Sequence, residues 1–460
     1  MQKALLLKIL IIAALMLLIG LPLTMIESTI RERMAFRDQA VASIAADSVR
    51  EQTLVGPVLV LPYTEEYDET VLVGDEHAKK GEVLHRSVPR QLLVYPNELQ
   101  VSGNIVTDRR YRGIHQVLVY SGQYALAGDF ILPAKADLPH EVARSRLVPG
   151  AAYVSLGIDD VRGIHKTPKI VWGGETVEFQ QGARLAAFKS GLHAPLGVPE
   201  LAEAGQVKFS FDLGLDGIER QHFVPVGKNN KFALASNWPH PQFGGRFLPS
   251  TGDRIINAQG FSAAWSISSL ATDAQQQISH MAEGSVPAKD AAATGGAELD
   301  RFSVGFIEPI NVYSMADRAT KYGLLFVTLT FAAFFMLEMI KRLPIHPIQY
   351  ALVGLALVLF FLLLVSLSEH IAFVQAYLIA SVACIGLIGY YLTHVLRDWR
   401  RGLGFGAGLT ALYGALYSLL ISENNALVMG SLLLFAVLGA IMVATRKVDW
   451  YQLGKVEAQA

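Results

Sequence analysis

Hydrophobic and polar positions alternate along this chain in two ways. In "VKFSFDLGL" the period is two: Val207, Phe209, Phe211, Leu213 and Leu215 fall on one face of an extended segment. "FSAAWSIS" repeats the pattern with Phe261, Ala263, Trp265 and Ile267. "GPVLVLPY", "QVLVYSGQYAL" and "KIVWGGETVEF" are rich in β-branched and aromatic residues, punctuated by glycine and proline. These stretches predict strands and, together, an all-β, sandwich-like region of two packed sheets.

Elsewhere the polar positions vanish. In "ALLLKILIIAALMLLIGLPLTMI", Ile9 to Ile26 are charge-free and long enough to cross a bilayer core. Lys8, in the first turns, can snorkel to the headgroups. A cleaved signal peptide is the competing reading, but no small-x-small site precedes the polar "ESTIRERM". After Asp317 come five more apolar stretches: Tyr322–Ile340, Pro347–Ser368, Ile371–Thr393, Leu403–Ile421 and Ala426–Thr445. Each is about 19 to 23 residues, the length of a helical span, and the short links predict antiparallel neighbours.

The expected fold class is therefore an α+β membrane protein. Six transmembrane helices, one N-terminal and five C-terminal, flank a large β domain. Basic residues alternate between the links. Lys341 and Arg342 follow the second span, Arg397, Arg400 and Arg401 the fourth, and Arg446 and Lys447 the sixth. "SLSEH" and "ISENN" carry no lysine or arginine. Basic links face the cytoplasm, so both termini are expected there, Lys3 and Lys8 with the first, and the β domain in the periplasm.

The expected division has a cytoplasmic stub and first span at 1–26, and a periplasmic helix continuing from it at 27–50. The β-rich domain occupies 51–318 with a mobile loop near 283–298, the five-helix bundle 319–445, and a cytoplasmic tail 446–460. The 27–50 helix rests on a stretch without glycine or proline. The mobile loop rests on the apolar-poor "EGSVPAKDAAATGGAE".

Composition supports this picture. Of 460 residues, 52% are hydrophobic and only 17% charged, and the mean hydropathy is +0.35. The net charge of −1 gives no electrostatic reason to expect nucleic acid as a partner. A single cysteine, Cys384, excludes an internal disulfide framework.

Catalytic motifs fail on inspection. "HEVAR" at His140 lacks the second histidine of a zinc protease. His115 and His165 each follow an Arg-Gly-Ile turn, in two segments that faintly echo each other. "GFSAA" places Ser262 on the polar side of a strand, not on a nucleophile elbow. "GLGFGAG", Gly402 to Gly408, opens a membrane span and is better suited to close helix approach than to nucleotide binding. Spans two to six contain one charge, Glu338, which Lys341 and Arg342 can pair.

No cofactor or metal is expected, and the chain reads as non-enzymatic. One rigid segment offers a contact surface. In "SNWPHPQFGGRFLPS", the prolines impose extended conformations on their predecessors, and Gly244 and Gly245 permit a reversal. Read as a stiff aromatic loop, it buttresses the β domain. Read as a site, it offers Trp238, His240 and Arg246 to a glycan, lipid headgroup or partner protein.

Several stretches resemble the CreD family of inner-membrane proteins: "LVGPVLVLPY", "SNWPHPQFGGRFLPS", "GFSAAWSIS" and "VGFIEPINVYSMADRATKYGLLFV", then "KRLPIHPIQYALVGLALVLFFLLLVSLSEH" and "VATRKVDWYQL". The likeness is collinear over nearly the whole chain. It implies an inner-membrane protein of Gram-negative bacteria within an envelope-stress or two-component regulon. It further implies links to envelope integrity, colicin tolerance and the β-lactam response, and it supplies no catalytic residues. The expected partners are membrane lipids and an unknown periplasmic or inner-membrane protein or envelope component. The alternative is a transporter or lipid-handling protein using the C-terminal bundle.

Overall fold

A computed structural model describes residues 2–73, 80–113, 115–201, 203–283, 299–306, 308, 312–341, 345–396, 398–422 and 426–446. The chain divides into two compact units, Gln39–Pro309 and Met1–Asp38 with Ile310–Ala460. Helix α1 (Gln2–Asp47) contributes residues to both. The expected loop at 283–298 lies, apart from Glu283, outside the described residues.

The first unit is built on two sheets. The main path of the nine-stranded sheet runs Pro241–Gly245, Phe302–Phe306, Arg220–Val224, Gln52–Val73, Ala152–Ile158, Gly191–Gly197, Gln180–Gln181. Lys80–Val94 and Arg146–Pro149 also pair with the long strand Gln52–Val73. The eight-stranded sheet runs Ile255–Asn257, Gly260–Ser268, Asn229–Ser236, Glu98–Arg112, His115–Leu132, Gly205–Ile218, Lys169–Trp172, Glu175–Glu178. Both sheets supply one hydrophobic core, from Leu59, Val154 and Phe302 of the first to Leu126, Phe211 and Trp265 of the second.

The period-two pattern survives in the strands. In Gly205–Ile218, Phe209, Phe211, Leu213 and Leu215 are buried while Lys208, Ser210 and Asp212 are exposed. "KIVWGGETVE" is a hairpin whose two-residue turn, Gly173 and Gly174, has φ of 55° and 100°. Such a turn favours glycine at both central positions. The two Arg-Gly-Ile-His segments are not structural repeats: Gly113 sits at the tip of the hairpin joining Glu98–Arg112 to His115–Leu132, whereas Val161–Gly163 is a 3-10 turn.

The second unit is helical. Helix α2 (Ala274–Ala282) belongs to the β unit, and the others follow it in sequence. They are α3 (Val312–Lys321), α4 (Gly323–Lys341), α5 (Pro347–Ser368), α6 (Phe373–Val395), α7 (Trp399–Ile421) and α8 (Ala426–Thr445). Among the described residues, α1, α5, α6 and α7 are long and apolar enough to span a membrane. The pair α3 and α4 is bent by 43° and makes a fifth span if counted as one. Within α8 the described apolar helix, Val428–Val443, is shorter.

Buried Phe331, Phe334, Tyr350 and Phe360 form the interior of this unit, yet Leu17, Leu21, Leu355 and Leu359 on its surface are exposed. Helices apolar on both faces are stable where lipid replaces water. In the glycine run of α7, Gly402 makes the close approach: a Cβ there would come within 2.4 Å of Thr393. Gly404 and Gly408 have nothing within 4 Å, so the expected tight packing is confined to one end of the run.

Candidate functional site

The segment Ser236–Ser250 is a strand edge rather than a free loop. Pro241–Gly245 pairs antiparallel with Phe302–Phe306, a partner far away in sequence, so part of the stretch read as a stiff aromatic loop is an edge strand. Gly245, at φ 88°, permits the approach: a Cβ would lie 2.3 Å from the Arg301 carbonyl. Arg246 then donates its backbone N–H to that carbonyl at 2.9 Å.

The three residues singled out from sequence do not converge. Trp238 is 8% exposed and belongs to the core. Its indole Nε1 donates to the His240 carbonyl at 3.1 Å, and the Arg109 guanidinium lies 5.7 Å from its ring centre. His240 is exposed, its ring edge-on to Trp238 at 6.2 Å. Arg246 projects from the other end of the segment and donates from Nη1 to Asp300 Oδ1 at 2.5 Å.

Arg246 lines a pocket of about 430 Å³ with Arg220, His222, Gln277, Arg301 and Ser303. Strand alternation assembles it. Phe223, Phe302 and Val304 point into the core, so Arg220, His222, Arg301 and Ser303 share the opposite face. The pairing His222↔Ser303 and Arg220↔Gly305 brings the two strands together, and Gly305 adds no side chain beside Arg220. Below lies an aromatic floor: Phe302 stacks on Trp265 at 4.6 Å and on Phe223 at 5.4 Å.

Asp300 is 2% exposed and anchors the wall. Burial alone would raise its pKa. The Asp273 backbone N–H, the Arg246 guanidinium and the Gln277 amide outweigh that and hold it below the ordinary carboxylate range. Glu51 accepts from or pairs with His222 Nε2 at 3.4 Å, and this contact, with Arg220 and Arg301 nearby, lowers its pKa. Sequence reasoning reached Arg246 alone. The alternation Arg220-x-His222 and Arg301-x-Ser303, charged and polar side chains opposite core residues, was the missed signal.

A second polar cluster lies within the helical unit. Glu338 of α4, 8% exposed, pairs with Lys8 of α1 and accepts from Tyr350 Oη at 2.8 Å. Lys8 Nζ also donates to the Ile345 carbonyl at 2.9 Å. Lys8, read from sequence as able to reach the headgroups, is thus engaged by a carboxylate and a carbonyl, and the pairing holds α1 to α4. The side chain of Lys341 and the whole of Arg342, the partners expected from sequence, lie outside the described residues.

The histidines play local parts. His165 Nε2 meets Asp216 Oδ2 at 2.5 Å, and His140 Nδ1 lies 3.0 Å from the Leu138 carbonyl. The His115 side chain is outside the described residues. Among the described residues no group of three or more His, Cys, Asp or Glu is placed to hold a metal.

Apolar helices with lipid-compatible surfaces, joined to a large two-sheet β domain, define a multi-pass membrane protein. The chain belongs to the CreD family: the family profile described as Inner membrane protein CreD matches residues 4–451. Inner membrane protein CreD of Escherichia coli (strain K12) is 34% identical over 438 residues, covering 95% of this chain and 91% of that relative.

Proposed function

We propose that this is a non-enzymatic inner-membrane protein that supports cell-envelope integrity under stress, including β-lactam and colicin exposure. Its β domain stands in the periplasm and binds an envelope component or partner protein, while six spans hold it with both termini in the cytoplasm. The observation that carries the binding reading is the concave, arginine-lined pocket on the outer face of the nine-stranded sheet. The orientation is supported by the alternation of basic and non-basic links, with Arg400, Arg401 and Arg446 on one side.

The alternative, transport or lipid handling by the helical unit, draws support from Lys8 and Glu338. Ionisable residues within membrane helices often mark ion or substrate paths.

Dye entry into cells lacking the gene, with and without a β-lactam, tests the main reading. Faster entry, reversed by the intact gene and by a version truncated after the β domain with the first span retained, is the expected result. Unchanged entry in both conditions overturns it. Rescue that requires the later spans favours transport.

A further inference from the structure

We propose that the pocket between Arg220, His222, Arg246 and Arg301 is a phosphoryl-binding site, taking the phosphate group of a phosphate-bearing envelope molecule. The pocket is defined by its own geometry; its assignment to an envelope molecule rests on the binding function proposed above.

Three guanidinium groups gather around one cavity, and among the described residues the one carboxylate in its wall is Asp300. Glu51, against His222, brings a second carboxylate to the edge of the cluster. Like charges crowded together repel one another, and a bound dianion removes that cost. Asp300 takes up one Arg246 donor, Nη1, and both of its own oxygens are engaged. Its Oδ1 accepts from Arg246 Nη1 and Gln277 Nε2, and its Oδ2 from the Asp273 N–H and the Thr272 hydroxyl. It is a saturated internal counterion that orients the Arg246 fork, whose side chain is 60% exposed.

The donor types match the ligand. Arginine presents five N–H donors in a planar fork suited to phosphate oxygens. Arg220, in the strand Arg220–Val224, is steadied by Gln242 Oε1 at 3.2 Å, and Arg301, just before the neighbouring strand Phe302–Phe306, donates to Thr53 Oγ1 at 3.3 Å. Ser303 adds a hydroxyl at the base of the pocket. The volume falls within the ~300–1,000 Å³ of small-molecule sites and leaves room for more than the phosphate itself.

The test uses the full chain in nanodiscs of phosphatidylcholine, titrated with inorganic phosphate and pyrophosphate by calorimetry. Saturable binding is expected, tighter for pyrophosphate. Arg220→Gln and Arg301→Gln are each expected to weaken it roughly ten- to hundredfold. Arg246→Lys keeps the charge beside Asp300 and should weaken binding by loss of the fork. Unchanged melting temperatures of the variants separate loss of the site from loss of the fold.

No saturable binding by the intact chain overturns the proposal, as does equal binding by folded Arg220→Gln and Arg301→Gln. Nanodiscs containing phosphatidic acid then distinguish the source. If a lipid phosphate enters the site, pyrophosphate affinity falls in these discs, and the difference disappears in Arg220→Gln. If the ligand is soluble, the two discs give the same affinity. The dye assay reads the envelope function separately, so its failure leaves the titration outcome standing.

Discussion

Arg246 Nη1 and Asp300 Oδ1 lie 2.5 Å apart across 54 residues of sequence. The pair fastens the edge strand Pro241–Gly245 to the segment leading into Phe302–Phe306, and also to the N-terminal turn of α2 through Asp273 and Thr272. Asp300→Ala strands these donors next to buried apolar surface. A loss of about 3 kcal/mol is expected, the scale of a buried charged hydrogen-bonding group removed from its partners. Urea unfolding followed by tryptophan fluorescence measures it; a change under half a kilocalorie would show that the network contributes little.

Glu65 sets an acid limit on the same domain. It is buried, and its pKa is lowered first by the Val142 backbone N–H and then by Ser145 and Arg90, against the opposing effect of burial. The folded value lies below the unfolded one, about 4.3. Its contribution is therefore complete above that value and is lost as pH falls through the depressed folded pKa. The melting temperature should fall between about pH 5 and pH 3, and Glu65→Gln should flatten that part of the profile. An identical profile for the variant contradicts this assignment.

In the helical unit, Lys8→Leu leaves Glu338 buried without its ammonium. A loss of about 3–5 kcal/mol, or failure to accumulate in the membrane, is expected. The double variant Lys8→Leu/Glu338→Leu should recover much of that. If the double variant is stable but fails to restore dye exclusion, the pair serves function rather than folding.

Trp238 and His240 should behave differently although two residues apart. Trp238→Ala opens a cavity in the core and should cost about 3–5 kcal/mol. His240→Ala, at an exposed position, should stay within about 0.5 kcal/mol. Chemical denaturation of both variants checks this, and equal losses would mean that His240 is also part of the packing.

Much of the fold is legible in the sequence because its signals are local. The buried face of Gly205–Ile218 is visible as every second residue, the Gly173–Gly174 turn as a glycine pair between strand-like runs, and α5 as an uninterrupted apolar stretch. What could not be read depends on register between distant segments. Lys8 meets Glu338 across 330 residues, and no periodicity encodes that meeting. Arg246 looked like the end of an aromatic loop. Its role as a pocket wall required the pairing of Arg220–Val224 with Phe302–Phe306, which places Arg220, His222 and Arg301 beside it. Trp238 misled for the converse reason: an aromatic residue in a proline-rich segment suggests a contact surface, but here the ring faces inward.

The strand Phe302–Phe306 lies between Pro241–Gly245 and Arg220–Val224, although it is the last strand among the described residues. This has a consequence for biosynthesis. The ribosome makes the outer neighbours first, and until the final strand arrives their hydrogen-bonding edges face a gap. The nine-stranded sheet cannot close before residue 306 has emerged, although every other strand of that sheet is made earlier. A chain ended just after that strand would thus hold every strand of the sheet beside only its first apolar helix, whereas one ended just before it would hold a sheet with an open seam.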